Sequence, residues 1–240
     1  MPIDTAEAVR TYLATLEELR PGRSKSYFEG LHLEVPGAMA ATVRNIEYGL
    51  SQFAPGLVVD LGCGHGLQSY AFACHGREVL GTDINEYRMK WANEAMAKLG
   101  VENATFEVAD TMVALEGRKA GGIFLHRAIH HLPDLPAFFA SAHRALAPGG
   151  TMVIVTSNAR SRELLRWIPF IRPGRHKAEE MTSQITDAGF VIERMVYHGY
   201  LTAIPLKWRV PFTAEIDRFL AKVPGIRALG GSFTLTARAI

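Results

Sequence analysis

The chain has 240 residues, 48% hydrophobic and 21% charged, with a formal net charge of +2. That length suits one α/β domain with a full core, and the balanced charge gives no reason to expect nucleic-acid or membrane partners. Cys63 and Cys74 are too few for a disulfide framework, and the N-terminus lacks the basic-then-apolar pattern of a leader. No apolar run reaches the roughly 18 residues of a membrane span, so the cytoplasm is the expected compartment.

From Asp4 to Leu19 apolar residues recur at Val9, Leu13, Leu16 and Leu19, a helical period that Asp4 or Thr5 can cap and Arg20-Pro21-Gly22 stops. Ser24 to Val35 is irregular and carries Tyr27, Phe28 and His32, with the two aromatics placed to close over a ligand or simply to pack. Pro36 to Leu50 reads as a second helix. Val58-Val59-Asp60 is a buried strand that runs into Gly62, Gly64 and Gly66, and Leu67 to Ala73 is helical again. Further strands are expected at Arg77–Asp83, Ala104–Asp110, through Ile123-Phe124-Leu125, and at Thr151–Val155, alternating with helices of about 12 to 15 residues. Alternation of this kind argues for a parallel sheet with helices on both faces. Within it Asn85 caps a helix that Gly100 ends. Phe190–Val196 and Phe233–Ala239 are two last strands. The expected organisation is a single domain over 1–240, with a helical cap at 1–52, a core at 53–158 and insertions at 159–177 and 200–231.

The glycine turn carries the chemistry. A strand that ends in an acid and then turns through alternate glycines leaves bare backbone at a helix N-terminus, where a nucleoside can approach. A dinucleotide fingerprint needs a glycine where Leu67 stands, and Asp60 would repel a pyrophosphate, so a nicotinamide oxidoreductase is disfavoured. A ligand with a cationic amino-acid tail and a ribose fits better. Asp83, at the end of the second strand, can accept from both ribose hydroxyls.

The run Asp60-Leu61-Gly62-Cys63-Gly64-His65-Gly66 resembles the first motif of class I S-adenosylmethionine-dependent methyltransferases. Asp83, Asp110, His130-His131-Leu132-Pro133-Asp134 and Leu146-Ala147-Pro148-Gly149-Gly150 follow in that family's order. The later stretches resemble its small-molecule, ubiquinone-pathway-like branch, from about Pro55 to Ser157 and weakly again over Glu179–Gly189. The resemblance implies a Rossmann-like, doubly wound, mostly parallel α/β sheet of seven strands in the order 3-2-1-4-5-7-6, with helical caps. It implies S-adenosyl-L-methionine as cofactor, held by Asp60, Gly62, Cys63, Gly64, Gly66, Asp83, Ile84, Asp110, Thr111, Met112 and Leu125. Asp110 would meet the adenine amino group while Ile84 and Met112 flank the ring.

Catalytic candidates stand after the fourth strand. Methyl transfer needs positioning, and a hydroxyl acceptor also needs a base of suitable pKa, which histidine supplies. His131, His130 and His126 are the candidates. A helical turn after His126 would put Arg127 beside His131 and His126 beside His130. Arg127 can hold an acceptor carboxylate or phosphate, or pair with Asp134. Gly121-Gly122 stand where related enzymes often carry an acid. Cys63, Cys74 and the histidines show no metal-ligand spacing, and His65 and His75 read as surface residues. Between Ala159 and Lys177 six basic residues face one acid, Glu163, among Leu164, Leu165, Trp167, Ile168, Phe170 and Ile171. Tyr200 to Gly231 is long for a hairpin connection and is expected to include a helix over Thr213–Leu220. Both segments suit a cap over a small apolar or acid-bearing acceptor, with peripheral membrane contact as a lesser reading. The expected function is methyl transfer to an O or N atom of a small molecule. A non-catalytic cofactor-binding partner protein and an RNA methyltransferase are the alternatives; the latter is weakened by Leu125-His126-Arg127-Ala128 in place of an Asn/Asp-Pro-Pro-aromatic run.

Overall fold

Alternation of inward-facing residues explains why the strands form one sheet buried on both sides. In the fourth strand Ile123 and Leu125 enter one core and Phe124 the other. The fifth repeats this, with Met152 and Ile154 on one side and Val153 and Val155 on the opposite one. Each such large side chain contributes roughly 1.5–3 kcal/mol through its burial. The computed structural model describes residues 4–21, 38–160, 177–199 and 229–240, with isolated positions between 216 and 226.

The elements are α1 (Thr5–Leu19), α2 (Ala38–Gln52), β1 (Val58–Leu61), α3 (Leu67–Cys74), β2 (Val79–Asp83), α4 (Glu86–Leu99) and β3 (Ala104–Val108). They continue as α5 (Thr111–Leu115), β4 (Ala120–His126), a 3-10 turn (Ile129–His131), α6 (Leu135–Ala145), β5 (Leu146–Ser157), α7 (Ala178–Asp187), β6 (Phe190–His198) and β7 (Ser232–Ala239). The sheet has seven strands in the order β3-β2-β1-β4-β5-β7-β6. β7 runs antiparallel between β5 and β6, and the remaining pairs are parallel. The helices α1 to α4 pack on one face, and α5, α6 and α7 on the other. The order and the antiparallel last pair are those expected. No helix among the described residues is long and apolar enough to cross a membrane.

The helices between β1 and β5 are 8, 14, 5 and 11 residues long, mostly shorter than their expected 12 to 15. The short α3 and α5 follow turns that use part of the connection. Asp4 caps α1, and Asn85 and Gly100 bound α4. β3 ends at Val108, and Asp110 instead caps α5 by accepting from the Met112 amide at 2.9 Å.

The glycine pair at the start of β4 has a steric cause. A Cβ at Gly121 would lie 2.4 Å from the Pro55 carbonyl oxygen, and one at Gly122 would lie 2.3 Å from the Phe53 ring. Phe53 is wedged edge-on against Phe72 and Phe124, so it cannot step aside. An acid at either place would collide with the segment that leaves α2. Tyr27, Phe28 and His32, and most of the segments 159–177 and 200–231, lie outside the described residues.

Candidate active site

β1 carries Asp60 to the C-terminal edge of the sheet, where its residue is 1% exposed. Ser69, in the first turn of α3, donates its hydroxyl to Asp60 Oδ2 at 2.6 Å. Burial pushes this carboxyl up to about 7; the Ser69 hydrogen bonds oppose the rise and the nearby Asp83 charge adds to it. A positively charged ligand beside this buried acid would favour its ionised form.

The turn beyond Asp60 has left-handed backbone at Gly62 (φ +66°) and Gly66 (φ +82°). A Cβ at Gly62 would sit 2.5 Å from Ala128 Cβ, and one at Gly66 would meet the Phe106 ring at 2.7 Å and the Tyr12 hydroxyl at 3.1 Å. Two independent constraints, conformation and space, thus require glycine. The Gly64 amide donates to Asp83 Oδ2 at 3.1 Å, and the Asn85 amide donates to Asp83 Oδ1 at 2.9 Å. Arg88 reaches the same carboxylate at 3.5 Å. The Cys63 amide donates to the Thr82 carbonyl at 2.9 Å, which ties the turn to the end of β2. The Cys63 thiol is buried, and burial pushes its pKa up, so it serves packing.

His65 departs from its expected surface position. It is 7% exposed and packs against Trp91, with ring centroids 5.1 Å apart. Burial first, and then the Arg88 charge, push it down to about 4. Its carbonyl accepts from the hydroxyl of the fully buried Tyr12, which stacks on Tyr70 at 4.9 Å. In this way α1 is fastened over the glycine turn.

Beside Asp83 an apolar platform faces outward: Ile84 is 75% exposed, and Tyr87 and Val113 are exposed with it. Met112 is half-buried, and the Thr111 hydroxyl is buried with no hydrogen-bond partner among the described residues. Leu125 is fully buried in the core and contributes packing there.

After β4 the chain does not turn helically. Arg127 adopts φ +57°, a left-handed conformation rare for a side chain of this size, and the chain then makes the 3-10 turn Ile129–His131. The four-residue pairing of Arg127 with His131 and of His126 with His130 is therefore lost. His130 and His131 instead lie ring to ring, 4.0 Å apart, with His131 exposed. His126 is half-buried over Phe124, and its Nδ1 is 3.1 Å from Gln68 Nε2. Asp134, a considered partner of Arg127, caps α6 by accepting from the Ala137 amide at 3.0 Å.

Four side chains the sequence did not single out make contacts near these residues: Tyr12 with the His65 carbonyl, Gln68 with His126, and His198 with Thr234, the last two 3.0 Å apart through His198 Nε2 and Thr234 Oγ1. Gln68 follows the glycine turn by two residues and was open to discovery from the motif. His198 reaches this edge only through the strand order, which leaves no local mark. No cluster of metal-ligating side chains is found among the described residues.

A seven-stranded sheet of this order, with an acid-and-glycine turn after β1 and an acid at the end of β2, defines the class I methyltransferase fold. Residues 59–154 match the Methyltransferase domain family. It is 30% identical over 130 residues to a ubiquinone biosynthesis O-methyltransferase of Caulobacter sp. (strain K31), a stretch covering 50% of each chain. It is 27% identical over 213 residues to the protein of the same description from Dinoroseobacter shibae, covering 78% of this chain and 82% of that one. The chain spans about half the length of several of the curated relatives it matches. Among solved structures, the geranyl diphosphate C-methyltransferase of Streptomyces coelicolor A3(2) superimposes with a TM-score of 0.61 at 20% identity, over 95% of this chain and 88% of that one.

Proposed function

We propose that this chain binds S-adenosyl-L-methionine across the glycine turn and methylates an oxygen atom of a small molecule. The observation that carries this reading is a buried Asp60 on one side, and an Asp83 bound to the Gly64 amide on the other, of a turn that admits no Cβ at Gly62 or Gly66. The residues fit the cofactor's chemistry. Asp60 complements the ammonium of the amino-acid tail, and Gly62 to Gly66 allow that tail to lie close to the backbone. Asp83 accepts from the ribose hydroxyls. Ile84 and Met112 flank the adenine, with Asp110 and Thr111 at its polar edge. When bound, the cofactor supplies a methyl group on a cationic sulfur, which leaves as a neutral thioether.

The chain's part is then to hold the acceptor in line and keep water away. Burial and then Arg127 push His126 down to about 3, which makes it a poor base. His131 stands exposed at the end of the 3-10 turn, open to an acceptor. The names of the curated relatives, O-methyltransferases of ubiquinone biosynthesis, support a small acceptor reacting at oxygen. Incubation with methyl-labelled S-adenosyl-L-methionine and a panel of phenols, carboxylates and amines tests the reading. Label transferred to an oxygen acid supports it, transfer to amines alone overturns the choice of oxygen, and no transfer to any acceptor overturns the activity.

A further inference from the structure

Two histidines outside the glycine turn stand at the same edge of the sheet. His126 ends β4 and His198 ends β6, and both strands point toward the same edge of the sheet. The register places His126 level with Val155, Thr234 and Val196, and His198 lies two residues beyond Val196. Residues two apart in a strand share a face, so the two histidines rise from one side of the sheet, with Val155 and Thr234 as the floor between them. The Gln68 amide donates to His126 Nδ1 at 3.1 Å, which leaves the neutral ring protonated at Nε2 with an N–H to offer. His198 is fixed by the Thr234 hydroxyl at 3.0 Å.

Two cations bear on these rings: Arg127 on both, and Arg44 of α2 on His198. From α2, Tyr48 also faces this part of the sheet, bonded through its hydroxyl to Thr236 at 2.7 Å and lying under the Arg194 guanidinium at 5.5 Å. From α3 comes the neutral Gln68.

We propose that His126 and His198, backed by Arg44 and Arg127, form the anion-recognising part of the acceptor site, so that the acceptor is held with an ionised oxygen, as a carboxylate or an acidic phenol. This deepens the methyl-transfer reading and rests on it only for what happens to that oxygen. Burial first, and the neighbouring cations second, push His126 down to about 3 and His198 down to about 4. Imidazoles this weakly basic take no proton from an acceptor near neutral pH; they donate hydrogen bonds to it. The arginines lower the pKa of a neighbouring acid and disfavour an ammonium. His126 and His198 are thereby positioning residues for the acceptor.

The test uses the full chain saturated with S-adenosylhomocysteine, with benzoate as the anionic probe and benzylammonium as its counter-probe. Histidine ring nitrogens are followed by NMR, and the benzoate titration is repeated without S-adenosylhomocysteine. The expected result is a shift of the His126 and His198 signals on adding benzoate, both rings staying neutral near pH 7 and His126 in its Nε2–H form. His198→Gln and Arg44→Gln should each weaken benzoate about tenfold, the usual weight of a hydrogen bond to a charged group, and leave S-adenosylhomocysteine affinity unchanged. Equal binding of benzylammonium, or no ring response to millimolar benzoate in either titration, overturns the proposal. Failure to bind S-adenosylhomocysteine with benzoate binding intact strikes the cofactor reading and leaves the anion site standing.

Discussion

Lowering the pH should weaken the cofactor product's binding through one residue. Asp60 is 1% exposed, Ser69 donates to it, and burial holds its carboxyl at about 7 in the ligand-free chain. A ligand ammonium beside it requires the ionised form. Every pH unit below about 7 then weakens the affinity tenfold until the pKa of the complex is reached, so the loss between about pH 8 and about pH 5.5 is roughly thirtyfold. Calorimetric titration of S-adenosylhomocysteine across this range, in buffers of different ionisation enthalpy, should also show about one proton released per ligand bound at the acid end. Asp60→Asn should give a flat profile at the weak, low-pH affinity. The same substitution should stabilise the ligand-free protein above neutrality. With its folded pKa raised, Asp60 contributes stability that is fully present below about 3.8 and lost as the pH rises through about 7, by about 4 kcal/mol as an upper bound. Constant affinity from pH 5.5 to 8 without proton release would refute the assignment of Asp60 to a cation.

The remaining expectations concern packing and acid stability. Gly62→Ala combines a left-handed φ with a Cβ placed 2.5 Å from Ala128 Cβ. It should cost about 2–3 kcal/mol in melting experiments and abolish ligand binding, and unchanged binding would contradict the turn's role. Gly122→Ala should destabilise by about 1–3 kcal/mol through Phe53 without changing ligand affinity. A second change, Phe53→Leu, should recover part of that loss, whereas simple additivity would show that the two do not meet. His65, His126 and His198 have folded pKa values pushed below the ordinary 6.5, to about 4, 3 and 4. Their contribution to stability is present above about 6.5 and lost as the pH falls toward 4, so His126→Gln and His198→Gln should flatten the acid limb of the melting curve. A limb as steep as that of the unchanged chain would show that these rings are not held neutral by the fold.

Much of the sheet was legible because its signals are local. Apolar β-branched runs that end in Asp60 and Asp83, Asn85 and Gly100 at the ends of α4, and the alternate glycines each specify their own surroundings within a few residues. The strand order came from the resemblance, since periodicity alone does not rank the strands. The acceptor side was poorly legible for a different reason. The left-handed Arg127 has no compositional mark, and it changes which of the histidines share a face. His65 reads as a surface residue because it flanks a helix, yet Trp91 packs on its ring and Tyr12 bonds its carbonyl, both distant in sequence. His198 meets the surroundings of His126 only because β7 inserts between β5 and β6. Gly121 and Gly122 looked like a departure from the family pattern; their cause, Phe53 and Pro55 crossing β4, is a packing fact between segments.

The most direct test of the account is a calorimetric titration with S-adenosylhomocysteine, with NADH in parallel and Asp83→Ala as the control. The account requires micromolar binding of S-adenosylhomocysteine, none of NADH, and loss of that binding in the variant. Folded protein that binds NADH, or that binds neither ligand, would contradict it.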